Sequence, residues 1–388
     1  MFRLIPLALF VYVWLRLVLP LPLSIPVKAA LAALFCAASL KQQFFTGIGG
    51  NFFSPELPKW LIELYGVVFA ALFLLFAFTL LRDILLTALA AARIFFPSAP
   101  RLPHSVGLAL LFAAVALSAA LYGTYEAQRL PRVKEQTVVL PRLPAAFDGY
   151  KIALLCDIHI SASRRGDYAE ALVKRVNALS PDLILIAGDF IDGVVSERSA
   201  DMAPLAALSA PDGIYGVLGN HEYYFNAGEW RAFIENSLGI KILLNEHAAI
   251  EREGENIAVA GVADLAALRF AAEEAPNAEK ALSGIPSDTV RIMLDHQPGA
   301  AKRNAAAGAD LQLSGHTHGG MVPGLSALVK KFNGGYVNGW YDVDGMKLYV
   351  SPGTGIWNGF LLRLGVPSEI TLLRLAPTAA AADKEAPL

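Results

Sequence analysis

The sequence predicts an α/β domain preceded by an all-α transmembrane region of about four helices. Three observations predict it. Charge is split unevenly: residues 1–125 hold eight Lys/Arg and three Asp/Glu, whereas the other 263 residues hold 24 and 31. Beyond residue 150, short apolar runs alternate with segments of helical period, the pattern of βαβ units. Each of several such runs is followed at once by a cluster of Asp, Asn and His. The 388 residues are 55% hydrophobic and 17% charged, against about 45–50% and about 25% for a soluble domain. That excludes an ordinary soluble globular protein as well as a disordered or collagen-like chain. A net charge of −2 gives no reason to expect nucleic-acid binding. Two cysteines, Cys36 and Cys156, build neither a disulfide framework nor a cysteine zinc cluster.

A spanning helix needs roughly 20 mostly apolar residues. Leu64–Leu81 and Leu102–Tyr125 meet this without a charge, with Trp60, Tyr65 and Tyr125 at boundaries that suit aromatic rings. Leu4–Leu19 contains Arg16, which is expected to snorkel from near the end; its length also suits a signal peptide, but further spans follow. Pro26–Leu40 is shorter, flanked by Lys28 and Lys41. Ile84–Phe96 reads as an amphipathic continuation at the interface. With four spans, the positive-inside count favours a cytoplasmic location for the C-terminal domain by six Lys/Arg to four. An odd number of spans reverses that orientation, so the side of the domain stays open.

Residues 126–150 read as linker and lead-in, and 151–375 as the α/β domain. Strands are expected at Lys151–Cys156, Leu183–Ala187, Ile214–Leu218, Ile257–Val262, Thr289–Leu294 and Asp310–Leu313, with helices at Tyr168–Leu179 and Glu229–Leu238. Lys347–Val350 and Glu369–Leu375 follow as strands without intervening helices, implying a mixed sheet or a second sheet. The Ala/Pro-rich residues 376–388 read as a disordered tail.

Ligands of open α/β sheets bind beyond the carboxyl ends of the strands, and the polar clusters fall there. Five of the seven histidines (His159, His221, His296, His316 and His318) directly follow expected strands. With Asp157, Asp189 and Asn220 they form a mixed nitrogen and oxygen donor set suited to Mn, Fe, Zn or a similar divalent ion. The set is too large for one ion and fits two that share a carboxylate. Asp157/His159 and His316/His318 lie two apart, so each pair faces one cavity if the backbone is extended. Two such ions can hold a bridging hydroxide and clamp a phosphoryl group for in-line displacement, with a nearby His protonating the leaving oxygen. Singly, each motif has a plainer reading as a turn or helix cap; five in order, each after a strand, favour the metal site.

The ordered blocks D-x-H, G-D-x-x-D, G-N-H-E, H and G-H-T-H, between Asp157 and His318, resemble the calcineurin-like metallophosphoesterase family. The resemblance covers about residues 145–375. Ser314–Gly320 and Ser351–Leu375 are similar to the membrane-associated subgroup of bacterial enzymes. The resemblance implies a four-layer αββα sandwich. It implies that Asp157, His159 and His318 bind a first metal, that Asn220, His296 and His316 bind a second, and that Asp189 bridges them. His221 then faces the substrate as phosphate contact or general acid. Cys156 stands where Ser is common, and Met321 where Gln is frequent; neither removes a ligand.

Asp192 and Glu222 read as orienting residues, Arg164 and Arg165 as a solvated loop with phosphate contact as the alternative. Trp340, Tyr341 and Trp357 read either as cleft lining or as packing, His104 as a membrane-edge residue and His247 as a surface residue. The expected function is a phosphoesterase integral to the plasma membrane. A catalytically silent phospho-ligand or metal sensor, and a transporter, are the alternatives. The expected substrate is phosphorylated and is lipid-linked, a cell-envelope polymer or a soluble nucleotide; members of the superfamily hydrolyse UDP-diacylglucosamine. No nucleic-acid partner is expected, and no protein partner is legible.

Overall fold

A computed structural model describes residues 5–98, 100 and 105–378 and divides into two compact units. The first comprises residues 1–126 together with Asn358–Leu362; the second comprises Ala127–Trp357 and residues 363–388. His104 and residues 379–388 of the expected tail lie outside the described residues.

The first unit is helical: α1 (Ile5–Val13), α2 (Ile25–Ser39), α3 (Lys41–Ile48), α4 (Lys59–Ala92) and α5 (Val106–Gln128). Among the described residues, only α4 and α5 are individually long and apolar enough to cross a membrane. α2 and α3 meet at a 59° bend and count as a third span only if taken together. The apolar stretch Ile5–Val18 is too short: at about 1.5 Å per residue it reaches about 21 Å of a roughly 30 Å core. Among the described residues the spans number two, or three with the bent pair taken as one, where about four helices were expected. Residues 84–92 continue α4 without a break. Arg16 does not simply snorkel; its Nε lies 2.7 Å from Asp83, which also binds Arg82 at 2.8 Å and accepts from the Tyr12 hydroxyl at 2.9 Å. Asn358–Leu362, distant in sequence, is held within this unit. The buried Lys41 ammonium donates to the Asn358 carbonyl at 2.9 Å and the Thr124 hydroxyl to that of Leu361 at 3.0 Å. The Phe360 ring stands edge-on to Phe73 at 5.3 Å.

The second unit contains two six-stranded sheets. The strands are β1 (Arg132–Val139), β2 (Lys151–Leu155), β3 (Leu183–Ala187), β4 (Ile214–Val217), β5 (Lys241–Ile242), β6 (Glu246–Arg252), β7 (Glu255–Gly261), β8 (Val290–Leu294), β9 (Leu311–Ser314), β10 (Gly339–Val343), β11 (Met346–Val350) and β12 (Glu369–Ala376). The first sheet runs β1-β12-β2-β3-β4-β5 and the second β10-β11-β9-β8-β7-β6. Within them β2 to β5 are mutually parallel, as are β7, β8, β9 and β11. One buried apolar core joins the sheets, with Ile152, Leu154, Leu185 and Leu373 from the first and Val259, Ile292, Leu294 and Leu313 from the second.

The opposite faces are covered by helices. α6 (Gly166–Asn177), α7 (Val195–Met202), α8 (Asn220–Tyr224) and α9 (Ala227–Leu238) follow strands of the first sheet. α6 buries Ala169, Leu172 and Val176 at helical spacing. α10 (Ala267–Phe270), α11 (Ala278–Leu282), α12 (Ala301–Ala306) and α13 (Leu325–Phe332) belong with the second. Ala281, Leu282 and Ala301 there pack with Met293, Leu348 and Val350. The result is the expected four-layer sandwich. β1 lies within the stretch read as lead-in, and its parallel pairing runs from Arg132 opposite Glu369 to Val139 opposite Ala376.

Candidate metal centre

The ends of five parallel strands converge on one point. Asp157 and His159 follow β2, Asp189 follows β3, Asn220 and His221 follow β4, His296 follows β8, and His316 and His318 follow β9. The loops are laced together through their backbones. The Asp157 N–H donates to the Gly188 carbonyl at 3.0 Å, and the His159 N–H to that of Asp189 at 3.1 Å. The Glu222 carboxylate accepts the N–H groups of Gly219 (2.7 Å), Phe190 (2.8 Å), Asp189 (3.1 Å) and Ile191 (3.3 Å), fixing the loop after β3 to the one after β4.

Backbone conformation is the main surprise. Asp157, His159, Asp189, His316 and His318 have φ of 52°, 50°, 55°, 68° and 47°. Non-glycine residues seldom adopt the left-handed region, and each such residue costs of order 1–3 kcal/mol. The expected extended geometry for the D-x-H and H-x-H pairs is thus corrected. Their side chains converge because both members of each pair are left-handed. Close approach also requires glycine: a Cβ on Gly219 would collide with the Asp189 carboxylate, and one on Gly188 would lie 2.7 Å from the His296 ring.

All eight predicted side chains come together. Asp157, His159 and His318 form one group whose donor atoms lie within 4.8 Å of one another; Asp189, His296 and His316 form a second; His159, Asp189 and His221 form a third. Asp189 is common to two groups. Its Oδ2 lies 3.6 Å from His159 Nε2, 3.3 Å from His296 Nε2 and 3.9 Å from His221 Nε2. Asn220 Oδ1 is 3.2 Å from His296 Nε2.

The donor chemistry fits cations. His296 Nδ1 lies 2.7 Å from the Ala187 carbonyl. A carbonyl only accepts, so Nδ1 carries a proton. Burial opposes charge on the ring, but Asp189 and Asp157 hold its pKa well above the ordinary value. Nε2, 3.3 Å from Asp189 and 3.2 Å from Asn220, therefore carries a second proton whose place a metal ion would take. His159 Nδ1 lies 3.2 Å from Asp192 Oδ1, and its buried Nε2, facing Asp157 and Asp189, has no hydrogen-bond partner. Such converging lone pairs need a positive charge between them. Burial, with the charge of His296, lowers His316 to about 3; burial, His159 and Arg363 hold His318 well below the usual range. Both rings are therefore neutral, the form that binds metal. Burial pushes the Asp189 carboxyl up, but the imidazoles of His296, His221 and His159 bring it well below the usual range.

His221 differs from the rest. Its Nδ1 contacts Asp192 Oδ1, the oxygen that also meets His159. Burial opposes its protonation, but Asp189 and Asp192 outweigh it and raise the ring to about 9. The Tyr224 and Trp357 rings stand 5.4 and 6.5 Å away. Trp340 instead packs on Tyr349 and Tyr341 on Tyr336. Arg164 is buried at 2% exposure, not solvated, with Nη1 donating to the Ala127 carbonyl at 3.1 Å. His247 is half-buried, its ring 2.9 Å from the Ala281 carbonyl.

Sequence reasoning missed Arg363. Its buried guanidinium donates to the carbonyls of Gly355 (2.6 Å), Pro352 (2.8 Å), Val366 (3.2 Å) and His318 (3.4 Å). Gly355 in turn donates to the Asp157 carbonyl at 2.7 Å. The one available signal was a lone Arg in an otherwise uncharged run from Asn358 to Pro367.

Residues 150–320 match the model of the calcineurin-like phosphoesterase family. A Danio rerio transmembrane protein with metallophosphoesterase domain is 35% identical over 271 residues, covering 68% of this chain and 61% of that one. The match thus spans less than two thirds of that relative's length. An uncharacterized metallophosphoesterase of Bacillus subtilis is 30% identical over 267 residues, covering 66% of this chain and 90% of that one. The similarity extends to animals as well as bacteria. The solved NAD nucleotidase of Haemophilus influenzae aligns over 53% of this chain and 50% of that one, with 19% identity and a TM-score of 0.36.

Proposed function

This chain belongs to the calcineurin-like phosphoesterase family, and from that premise we propose a membrane-anchored, two-metal hydrolase of phosphoester or pyrophosphate bonds. In this reading Asp157, His159 and His318 hold one divalent ion (Mn, Fe, Zn or similar). Asn220, His296 and His316 hold the second, and Asp189 reaches both. When bound, such ions supply Lewis acidity, activating water and neutralising charge on a phosphoryl group in in-line displacement. The observation that carries the proposal is the convergence on Asp189 of two buried imidazoles, His159, whose Nε2 has no hydrogen-bond partner, and His296, whose Nε2 lies 3.3 Å away.

The protein's own part is positional and protonic. Asp192 fixes the His221 tautomer: Nδ1–H points to the carboxylate and Nε2 is left toward the substrate. In the metal-free site Asp189 and Asp192 favour the imidazolium, and with Asp192 against Nδ1 the ring can donate from Nε2 to the leaving oxygen. A silent sensor would have no use for that proton, so the enzyme reading is favoured. The apolar helices α4 and α5 support integral anchoring, and we place the protein in the plasma membrane.

Purified full-length protein should hydrolyse members of a panel of phosphomonoesters, phosphodiesters and lipid pyrophosphates when supplied with Mn²⁺, and lose the activity on chelation. Inactivity on the whole panel with both ions bound would favour the sensor.

A further inference from the structure

α13 is an amphipathic helix with much of its apolar arc exposed. At 100° per residue, Leu325, Leu328, Val329 and Phe332 occupy one arc, while Ser326, Ala327, Lys330 and Lys331 occupy the other. A helix of this kind normally buries its apolar arc. Here none of its residues is buried, and Leu328 and Phe332 are 52% and 78% exposed. The helix is nevertheless firmly seated. Gly320, at the end of the His318–Gly320 turn, abuts Ser326 so closely that a Cβ would lie 2.6 Å from its Cα. At the other end the Asn333 amide donates to the Val329 carbonyl at 2.9 Å.

We propose that α13 docks on the headgroup region of a bilayer containing anionic lipid. The same chain supplies the bilayer: α4 and α5 are long and apolar enough to cross one. Only Arg129, Leu130 and Pro131 separate α5 from β1, a tether of about 10 Å when extended. Lys331 borders the apolar arc and Lys330 lies on the polar side, and their long side chains complement acidic headgroups. Eight residues bind a membrane weakly on their own, but a tether of this length replaces a bimolecular encounter with a high effective concentration. Because α13 directly follows the His316–Gly320 segment, docking brings the metal centre to headgroup level. Resting on the hydrolase reading above, this assigns the substrate class as a phosphate ester or pyrophosphate carried on a lipid.

The test uses full-length protein with Cys36→Ala, Cys156 being wholly buried, reconstituted in phosphatidylcholine bilayers with or without phosphatidylglycerol. Nitroxide is attached at Leu328→Cys, Phe332→Cys or Ala327→Cys, and collisions with oxygen are compared with those of a water-soluble nickel chelate. With anionic lipid, positions 328 and 332 should favour oxygen and position 327 the nickel chelate. Lys330→Gln and Lys331→Gln should each lower the docked fraction relative to the free by about fivefold. Equal nickel accessibility at all three positions would overturn the proposal, as would spin–spin broadening showing a second copy on this face. Hydrolysis of a soluble aryl phosphate by the same samples separates the two readings. Loss of docking with hydrolysis intact refutes only the helix assignment, and an unaltered depth profile without hydrolysis refutes only the function.

Discussion

Replacing Asp192 by Asn separates the charge on the proposed proton donor from its orientation. Asp192 is fully buried, and its Oδ1 touches both His221 Nδ1 and His159 Nδ1. An amide oxygen can still accept the His221 Nδ1–H, so the ring keeps its direction while the carboxylate charge disappears. Two opposite charges about 4 Å apart interact by about 4 kcal/mol at an effective dielectric of about 20, an upper figure of about 3 pKa units. Shifts from one neighbouring carboxylate run about 1–3 units, and Asp189, 3.9 Å from His221 Nε2, stays in place. The His221 pKa should therefore fall by about 1–3 units. The proton is available below the pKa and lost as pH rises through it, so the alkaline limb of kcat moves down by that amount. Above both pKa values kcat should be lower by about 10-fold per unit of that fall for a poor leaving group such as a phenyl or alkyl ester. A p-nitrophenyl ester, which departs without protonation, should lose far less. The assay is the pH profile of kcat on both esters with metal content measured in parallel. An unmoved alkaline limb, or an equal penalty on both esters with two ions still bound, would refute the proton-donor role.

His221→Ala should keep both ions and lose most turnover, whereas Asp189→Ala should lose both ions, read by elemental analysis. Full metal occupancy in the second variant would show that Asp189 does not bridge. Gly219→Ala should cost about 1–3 kcal/mol of stability by overpacking, since its Cβ meets the Asp189 carboxylate and amide; a lowered Tm and metal loss in calorimetry and elemental analysis would be the signature. Arg363→Lys cannot reach four carbonyls at once. It should weaken the ion on the His318 side about 10–100-fold, leaving about one ion per chain until excess metal restores the second; unchanged occupancy in a metal titration would contradict this.

The central strands were legible because they are buried on both faces. β3 is Leu-Ile-Leu-Ile-Ala with every residue buried, and such runs stand out without an alignment. The four strands not foreseen, β1, β5, β6 and β10, are the four sheet edges. Edge strands carry charge and are half-exposed: Arg-Val-Lys-Glu-Gln in β1 and Glu-His-Ala-Ala-Ile-Glu-Arg in β6 show no clean alternation. The site residues were legible from their place after strands, but the left-handed backbone at five of them was not, because nothing in a ligand's identity announces strain. Arg363 stayed hidden because its partners are carbonyls, which every residue supplies. In the helical unit, the runs ending at Leu19 and Leu40 read as spans by composition, but among the described residues the first is short and the second reaches spanning length only together with α3 across a 59° bend.

The return of Asn358–Leu362 to the helical unit makes the two parts of the polypeptide poor candidates for separation. Leu361 and Leu362 are almost wholly shielded, at 1% and 0% exposure, and Gly66 of α4 lies against Leu361. Expressing residues 127–388 alone would strip this segment of its helical cover. Leaving two leucines in water forfeits about 1.5–3 kcal/mol apiece, immediately beside Trp357. Such a fragment is expected to aggregate or loosen next to His221, whose ring stands 6.5 Å from that of Trp357. A usable soluble version would need polar substitutions at Phe360, Leu361 and Leu362.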